Sequence, residues 1–283
     1  MRILITGAAG QLGSELCRVL AQHTVIPKDL PGFDLTKSDV EEQVVQADPD
    51  VIIHAGAYTD VDGAEREPER ATAVNVTGTE RVAAAAVRAG ARLVYVSTDY
   101  VFDGAQSVPY REQDLPHPLN HYGVTKWRGE QAVLSSGAQS LVIRTAWLYG
   151  QQGKNFVKSI MRAAQDQAVL RVVHDQQGCP TFAEDLARTV ALLLDRDVQG
   201  VLHVTNRGQC TWHEFAAAIV QEMGLSVPVS PITTGEAGRL ARRPVYSVLG
   251  HDRLTSLGLE LPHWKDALKR FLSLQHLPLA ASS

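Results

Sequence analysis

Three observations predict a parallel, doubly wound α/β sheet with a smaller C-terminal lobe. Short apolar runs alternate with stretches of helical periodicity as far as residue 147, joined by short links, which is the pattern of a parallel sheet covered on both faces. The first run, Arg2-Ile3-Leu4-Ile5-Thr6, leads straight into the glycine-rich string TGAAGQLG and then a helical pattern. After Trp147 the pattern loosens into shorter elements. At 283 residues the chain can bury a large core, in one large domain or in two lobes.

Taken in order, Gly7, Gly10 and Gly13 separate the first strand from a helix marked by Leu12, Leu16, Val19 and Leu20. Strand, glycine loop and helix make half of a βαβ unit of Rossmann type, in which the glycines allow a tight turn and close approach of backbone to a pyrophosphate resting on the helix N-terminus. The spacing here is G-x-x-G-x-x-G, and the bland alternative is a glycine-rich turn of any α/β protein. Thr24-Val25-Ile26 reads as the second strand, and Lys28 and Asp29 at its end carry mixed signs that do not decide between NADH and NADPH. Ser38 and Glu41 stand at capping-box spacing and predict a helix start. Val51-Ile52-Ile53-His54 is a fully apolar strand pattern, and the loop AGAYTDVD follows at its carboxyl end, where ligands bind in such sheets.

A long helix is expected from about Pro68 to Ala89 with Asn75 inside it, as a surface residue or as a polar group turned back to the site. Strands follow at Leu93–Val96 and Leu141–Arg144. Beyond Trp147, helices are expected over Asn155–Gln167, Ala183–Leu194 and Trp212–Met223, with a last helix near Trp264–Leu274. Strands are expected at Leu170–Val173 and Val201–Thr205, and Leu279–Ser283 reads as a frayed end.

The sharpest chemical signal is Tyr122-Gly-Val-Thr-Lys126. Asn120 suits a helix N-cap, and a helix over His121–Leu134 puts Tyr122 and Lys126 one turn apart on one face. A lysine cation there is expected to lower the phenol's pKa and make it a usable acid or base. Alone, Y-x-x-x-K is a weak signal; a preceding dinucleotide loop sharpens it. Ser97-Thr98-Asp99-Tyr100 ends a strand and would bring a hydroxyl to the same sheet edge.

Net charge is −4, so nothing points to nucleic acid or an anionic membrane surface, and no apolar run approaches a membrane span. Cys17, Cys179 and Cys210 read as free thiols of a reducing cytosol, which together with the lack of a signal-peptide layout predicts a cytoplasmic protein. His174 and His203 lack partners at metal-ligand spacing.

Jointly, TGAAGQLG, FDLTKSD, AYTDVDGAE, AVNVTGT, STDYVFDG, YGVTK, RTAWLYG, NFV, DQQGCPT and RRPVYSVL resemble the extended short-chain dehydrogenase/reductases, and among them the dTDP-4-dehydrorhamnose reductases. HAGAYT departs from that family's usual asparagine and alanine run at His54 and Gly56. The resemblance implies an NAD(P)-binding Rossmann domain over residues 1–147 and about 183–206, with a substrate-binding lobe over about 148–182 and 207–283. It implies that Gly7, Gly10, Gln11, Leu12 and Gly13 hold the pyrophosphate of NADPH or NADH, that Asp34 and Leu35 flank the adenine, and that Ala57, Tyr58 and Thr59 line the path to the nicotinamide. Tyr122 and Lys126 would also touch the cofactor. Thr98, Tyr122 and Lys126 would be the catalytic set, with Asp99 and Trp147 on the sugar. Trp147 has a core role as its alternative. The implied reaction is reduction of the C4 ketone of a nucleotide-linked 4-keto-6-deoxyhexose.

The implied partner is a sugar nucleotide, and a homodimer is left open. Some members of the family are linked to Mg²⁺ at a subunit contact through glutamates; Glu15 and Glu184 lie in comparable stretches, but no metal site is assigned. In the basic run Arg239, Arg242 and Arg243, a net acidic chain has a local cation source for the sugar-nucleotide diphosphate, and Arg243 is singled out because Pro244 restricts its backbone. A solvated surface arginine is the alternative. Three other readings remain: a 4,6-dehydratase, weakened by Tyr100 where related dehydratases carry an acid; an epimerase, which needs the same Tyr and Lys; and a non-catalytic regulatory subunit.

Overall fold

The computed structural model describes residues 1–275, so Leu279–Ser283 lie outside the described residues. Six parallel strands form the central sheet. Five are β1 (Arg2–Thr6), β2 (Thr24–Lys28), β3 (Val51–His54), β4 (Arg92–Thr98) and β5 (Ser140–Thr145); the sixth, Gly200–His203, pairs with β5. Across the sheet the order is Gly200–His203, β5, β4, β3, β1, β2. The chain therefore reverses its direction of travel across the sheet at β1, which lies between β2 and β3. Such a switch point opens a crevice beyond the carboxyl ends of the strands.

Alternation along each strand builds two cores. Ile3, Ile5, Ile53, Val94 and Ile143 face one layer, where Leu12 and Leu16 of the helix Gln11–Val19 meet Leu186, Val190 and Leu193 of Ala183–Leu194. Leu4, Ile52, Leu93, Tyr95 and Val142 face the opposite layer, covered by Val40 and Val44, by Val82 and Ala86, and by Val133. The continuous apolar strands are thus explained by burial on both faces.

A third core collects the later elements. Tyr149, Phe182, Phe215, Trp264 and Phe271 pack around the helices Phe156–Asp166, Trp212–Glu222 and Trp264–Gln275. Two-stranded pairings stitch this part: Leu170–Val173 with Val229–Ile232, and Leu148–Tyr149 with Thr181–Phe182. Leu254, Leu259 and Leu261, read from the sequence as second-lobe residues, instead pack in the first core of the sheet. We propose that the two-lobe division holds with residues 252–261 returned to the sheet lobe.

Two local readings change. The helix after β2 is Val40–Gln46 with Asp39 at its N-cap, so Ser38 and Glu41 do not form a capping box; the Asp39 carboxylate accepts instead from Gln43 Nε2. The long helix over 68–89 is broken in character: Pro68–Thr72 and Thr79–Ala89 are α-helical, and Ala73–Gly78 between them is a π-helical turn. Such turns re-aim side chains and recur at functional sites, and here the turn carries Asn75.

Candidate active site

The carboxyl ends of β1, β3, β4 and β5 open into one cleft of about 1060 Å³, roofed by Trp147, Trp212 and the segment Gly153–Asn155. Gly7, Gly10, Gln11, Leu12, Gly13, Asp34, Leu35, Ala57, Thr59, Thr98, Asp99, Tyr122, Lys126 and Trp147 all line it. Tyr58 and Arg243 do not.

At one end the chain offers backbone. Gly7 has φ of +68°, and a Cβ there would sit 2.7 Å from Cα of Gly56; a Cβ on Gly13 would sit 2.0 Å from the Gly7 carbonyl oxygen. No side chain fits at either place. Gly10 is the N-cap of Gln11–Val19 and supplies no capping side chain, so the first amides of that helix face the cleft, the arrangement that suits a pyrophosphate. Asn155, itself the N-cap of its helix, donates to Gln11 Oε1 at 3.1 Å and so ties the second lobe to this loop.

The loop after β3 is held by Asn75. Its Oδ1 accepts the Tyr58 amide at 2.8 Å, and its Nδ2 donates to the Tyr58 carbonyl and to Thr125 Oγ1, both at 3.0 Å. Asn75 is 1% exposed, so it is a latch between this loop and the Tyr122 helix rather than a surface residue. Tyr58 stays out of the cleft, and its phenol turns outward to donate to Glu67 at 2.8 Å. His54 is fully buried between Thr6 Oγ1 at 2.6 Å and Thr79 Oγ1 at 3.1 Å. Burial, and then the Lys126 cation, push its pKa down to about 3, so it stays neutral.

At the other end the groups are side chains, and they are buried. The helix His121–Ser135 begins as expected, with Asn120 Oδ1 accepting the Gly123 amide at 2.8 Å. Lys126 Nζ donates to the Val96 carbonyl at 2.7 Å and rests 4.1 Å from the Tyr95 ring centroid. Burial lowers its pKa to about 7, and Glu130 one turn along works in the opposite direction. Tyr122 behaves differently from the sequence expectation: burial pushes its pKa up to about 12, the Thr98 hydroxyl opposes this, and Asp99 reinforces it. Desolvation outweighs any help from the lysine, and the phenol is kept protonated.

Beneath this pair lies a buried ionic network. Arg144 Nε and Nη2 donate to the two oxygens of Glu130 at 2.9 and 2.7 Å, and Ser97 Oγ donates to the same carboxylate at 2.5 Å. The ion pair's side chains are 3% and 0% exposed. It joins β5, β4 and the Tyr122 helix at the point where each enters the site. Asp99, 2% exposed, accepts from Ser247 Oγ at 2.5 Å and from Thr98 Oγ1 at 3.1 Å. Burial raises its pKa to about 7 against those hydrogen bonds. Beside Thr98, Thr145 lines the cleft, and its hydroxyl is buried without a protein partner.

Trp147 adopts φ of +46°, which is strained for a bulky side chain. Two contacts hold it: a stack on Trp212, 3.5 Å between centroids and 7° between planes, and Gly178, where a Cβ would fall 2.4 Å from the indole. It lines the cleft while also packing against two apolar clusters.

Arg243 is not a free cation. It pairs with Asp62 through two contacts of 3.2 Å and lies outside the cleft, beside Tyr100. A diphosphate at Arg243 would have to compete with that carboxylate. Arg239 also reaches Asp62, at 3.8 Å, from an exposed position. Glu15 and Glu184 share Arg18, at 2.9 and 3.0 Å. All three cysteines are free, and no helix among the described residues is long and apolar enough to cross a membrane.

Comparison with known proteins agrees over the whole described chain. The family model for the RmlD substrate binding domain matches residues 1–276. The spore coat polysaccharide biosynthesis protein SpsK of Bacillus subtilis is 40% identical over 274 residues, covering 96% of both chains. A dTDP-4-dehydrorhamnose reductase of Aggregatibacter actinomycetemcomitans is 38% identical over 285 residues, covering 95% of this chain and 97% of its own. The crystal structure of the dTDP-4-dehydrorhamnose reductase of Bacillus anthracis in complex with NADP superimposes with a TM-score of 0.94 at 41% identity, over 96% of this chain and 99% of that one. With its parallel sheet, glycine loop and Tyr–Lys helix, the chain belongs to the RmlD substrate-binding-domain family.

Proposed function

We propose that this chain is an oxidoreductase that reduces the C4 ketone of dTDP-4-dehydro-L-rhamnose, giving dTDP-L-rhamnose at the expense of a reduced nicotinamide dinucleotide. The observation that carries the reading is the meeting of Thr98, Tyr122 and Lys126 at the sheet edge, in the same cleft as a glycine cradle with no room for a Cβ. The cradle, the free helix amides and the unpartnered Thr145 hydroxyl fit such a dinucleotide. When bound, a dihydronicotinamide supplies the hydride.

The chain's own residues do the rest. Tyr122, kept protonated by burial, donates its phenolic proton to the oxygen on which negative charge develops. A buried phenol of raised pKa is a weak acid against water, but an alkoxide is a stronger base still. Thr98 stands beside that oxygen as a hydrogen-bonding group, and Lys126 supplies positive charge from a site where little water screens it. Pinning the ammonium to the Val96 carbonyl fixes its direction before substrate arrives. Asp99 and Trp147 face the sugar, and the stacked indoles offer it a flat apolar wall. A dehydratase would need an acid at Tyr100; that residue is a phenol whose pKa burial pushes further up.

The test is addition of dTDP-4-dehydro-L-rhamnose to the protein with NADH or NADPH while following absorbance at the reduced-cofactor band. Stoichiometric loss of absorbance supports the reductase. Binding of both ligands without net oxidation of the cofactor would indicate an epimerase or a non-catalytic relative instead.

A further inference from the structure

Trp147 lines the cleft in a backbone conformation that a bulky residue rarely keeps, with φ of +46°. A left-handed φ crowds a side chain against its own backbone, so it persists where the surroundings over-determine it. Here the surroundings come from later in the chain, and from one place. Gln177–Gly178 pairs antiparallel with Cys210–Thr211, Gly178 lying opposite Cys210. Gly178 leaves room for the edge of the Trp147 indole, since a Cβ there would fall 2.4 Å from Cε2 and 2.6 Å from Nε1. Trp212 follows Thr211 directly and covers the face of the same indole, the two planes 7° apart. Edge and face are therefore gripped from the two strands of a single pairing.

Trp212 is itself fixed. It begins the helix Trp212–Glu222, and a capping box pins the residue before it. Thr211 Oγ1 accepts the Glu214 amide at 3.1 Å, and the Thr211 amide donates to Glu214 Oε2 at 2.7 Å. Phe156 also lies against the Trp212 indole, 4.5 Å between ring centroids. For Trp147, the main chain adds only its carbonyl, which accepts the Thr181 amide at 3.2 Å. That bond fixes the backbone and leaves the direction of the indole to the stack and to Gly178.

We propose that Trp212 is a positioning residue for the sugar subsite: it holds the Trp147 indole, with Gly178 at the edge, as a rigid wall of the cleft, so that sugar-nucleotide affinity depends on Trp212 through Trp147. The inference rests on the reductase reading above, which puts the sugar against Trp147. The physical gain is pre-organisation. An indole free to turn about its side-chain bonds must be ordered when the sugar arrives, and that cost is subtracted from affinity. Held in the stack, it is ordered beforehand. Trp212 lines the cleft too, so a direct contact with the ligand is the competing arrangement, and the test has to separate the two.

A double-mutant cycle does so. Isothermal titration of dTDP-L-rhamnose, the reaction's product, into protein saturated with reduced dinucleotide measures affinity where no net reaction runs. Trp212→Leu keeps an apolar side chain and loses the flat face, so affinity should fall roughly 3- to 10-fold. Trp212→Phe returns a stacking ring and should recover most of the loss. Gly178→Ala pushes a methyl group into the indole edge and should cause a similar fall with Trp212 untouched. In a Trp147→Ala background neither Trp212→Leu nor Gly178→Ala should weaken binding further, because the residue they act through is gone. Dinucleotide affinity should be the same in every variant. A loss in the Trp147→Ala background as large as in the unmodified protein would overturn the inference and make Trp212 a direct contact. Unchanged affinity in both Trp212→Leu and Gly178→Ala would overturn it as well, and a parallel loss of dinucleotide affinity would reduce the stack to general support of the fold. Gly178→Ala carries the cycle if Trp212→Leu does not fold. Failure of the unmodified protein to bind dTDP-L-rhamnose would overturn the reductase reading itself, and this inference with it.

Discussion

The two ends of the cleft are built from different materials. At the glycine loop the ligand-facing surface is mostly main chain, shaped by what is absent: no Cβ fits on Gly7 or Gly13, and Gly10 caps its helix with no side chain. At the Tyr122 end the surface is side chain, and its key groups are almost wholly withdrawn from water: Thr98, Asp99 and Lys126 are 7%, 2% and 3% exposed. The first end selects by shape and by aligned amides, which cost no reorganisation when charge arrives. The second works by desolvation, which moves the proton equilibria of Asp99, Tyr122 and Lys126 far from their values in water. Substitutions at the two ends should therefore fail in different ways.

The largest effect is expected for Tyr122→Phe. The ring still packs, but the proton donor is gone, so turnover should fall by roughly 10²–10⁴-fold while dinucleotide binding persists. Steady-state kinetics beside a cofactor titration separates the two quantities, and near-normal turnover would remove Tyr122 from the mechanism.

Next in size is the ionic network below the site. Glu130→Gln leaves the Arg144 guanidinium buried without its counter-charge, which typically costs about 3–5 kcal/mol of stability. Adding Arg144→Met removes the second charge and should restore most of that loss. If the pair also positions Lys126, the double variant will regain its melting temperature and yet keep a lowered kcat. Full recovery of both would reduce the pair to a structural element.

At the opposite end, Gly13→Ala drives a methyl group into the Gly7 carbonyl, and overpacking of that kind costs about 1–3 kcal/mol. The damage should appear as weakened binding of dinucleotide, with little change in the affinity for the sugar nucleotide. Isothermal titration with each ligand is the check, and equal weakening of both would erase the contrast between the two ends.

The smallest effect is a gain. Asp99 has a folded-state pKa of about 7, above the usual carboxylate value, so its buried charge destabilises the fold fully above pH 7 and not at all below the unfolded-state pKa. Asp99→Asn should therefore raise the melting temperature by a few degrees at pH 8, with the gain shrinking as pH falls toward 4. Sugar-nucleotide binding should suffer in the same variant. A gain independent of pH would mean that the carboxylate is not the group responsible.

What could be read from the sequence was mostly what is local. The Asn120 cap, the one-turn spacing of Tyr122 and Lys126, and the helix Ala183–Leu194 follow from neighbours within a few residues, and each stands where the pattern predicts. The capping-box reading at Ser38 failed because an S-x-x-E spacing fits many starts and the helix begins at Val40. Other features depend on partners far away in the chain. Ser247 meets Asp99 across 148 positions, and Asp62 neutralises Arg243 across 181, so Arg243 looked free when it was not. Asn75 needed the π-helical turn to face inward, and no residue type announces such a turn. The pKa of Tyr122 also lay beyond reach, because the sign of its shift depends on burial.

The most direct measurement for the site as a whole follows the hydride itself. The protein is incubated with nicotinamide cofactor deuterated at both C4 positions and with dTDP-4-dehydro-L-rhamnose, and the sugar product is examined by mass spectrometry and proton NMR. Direct reduction at the Thr98–Tyr122–Lys126 edge requires one deuterium at sugar C4 for each cofactor oxidised, and none in the Tyr122→Phe protein on the same timescale. Deuterium retained wholly in the cofactor, or a product carrying it at another carbon, would contradict the assignment.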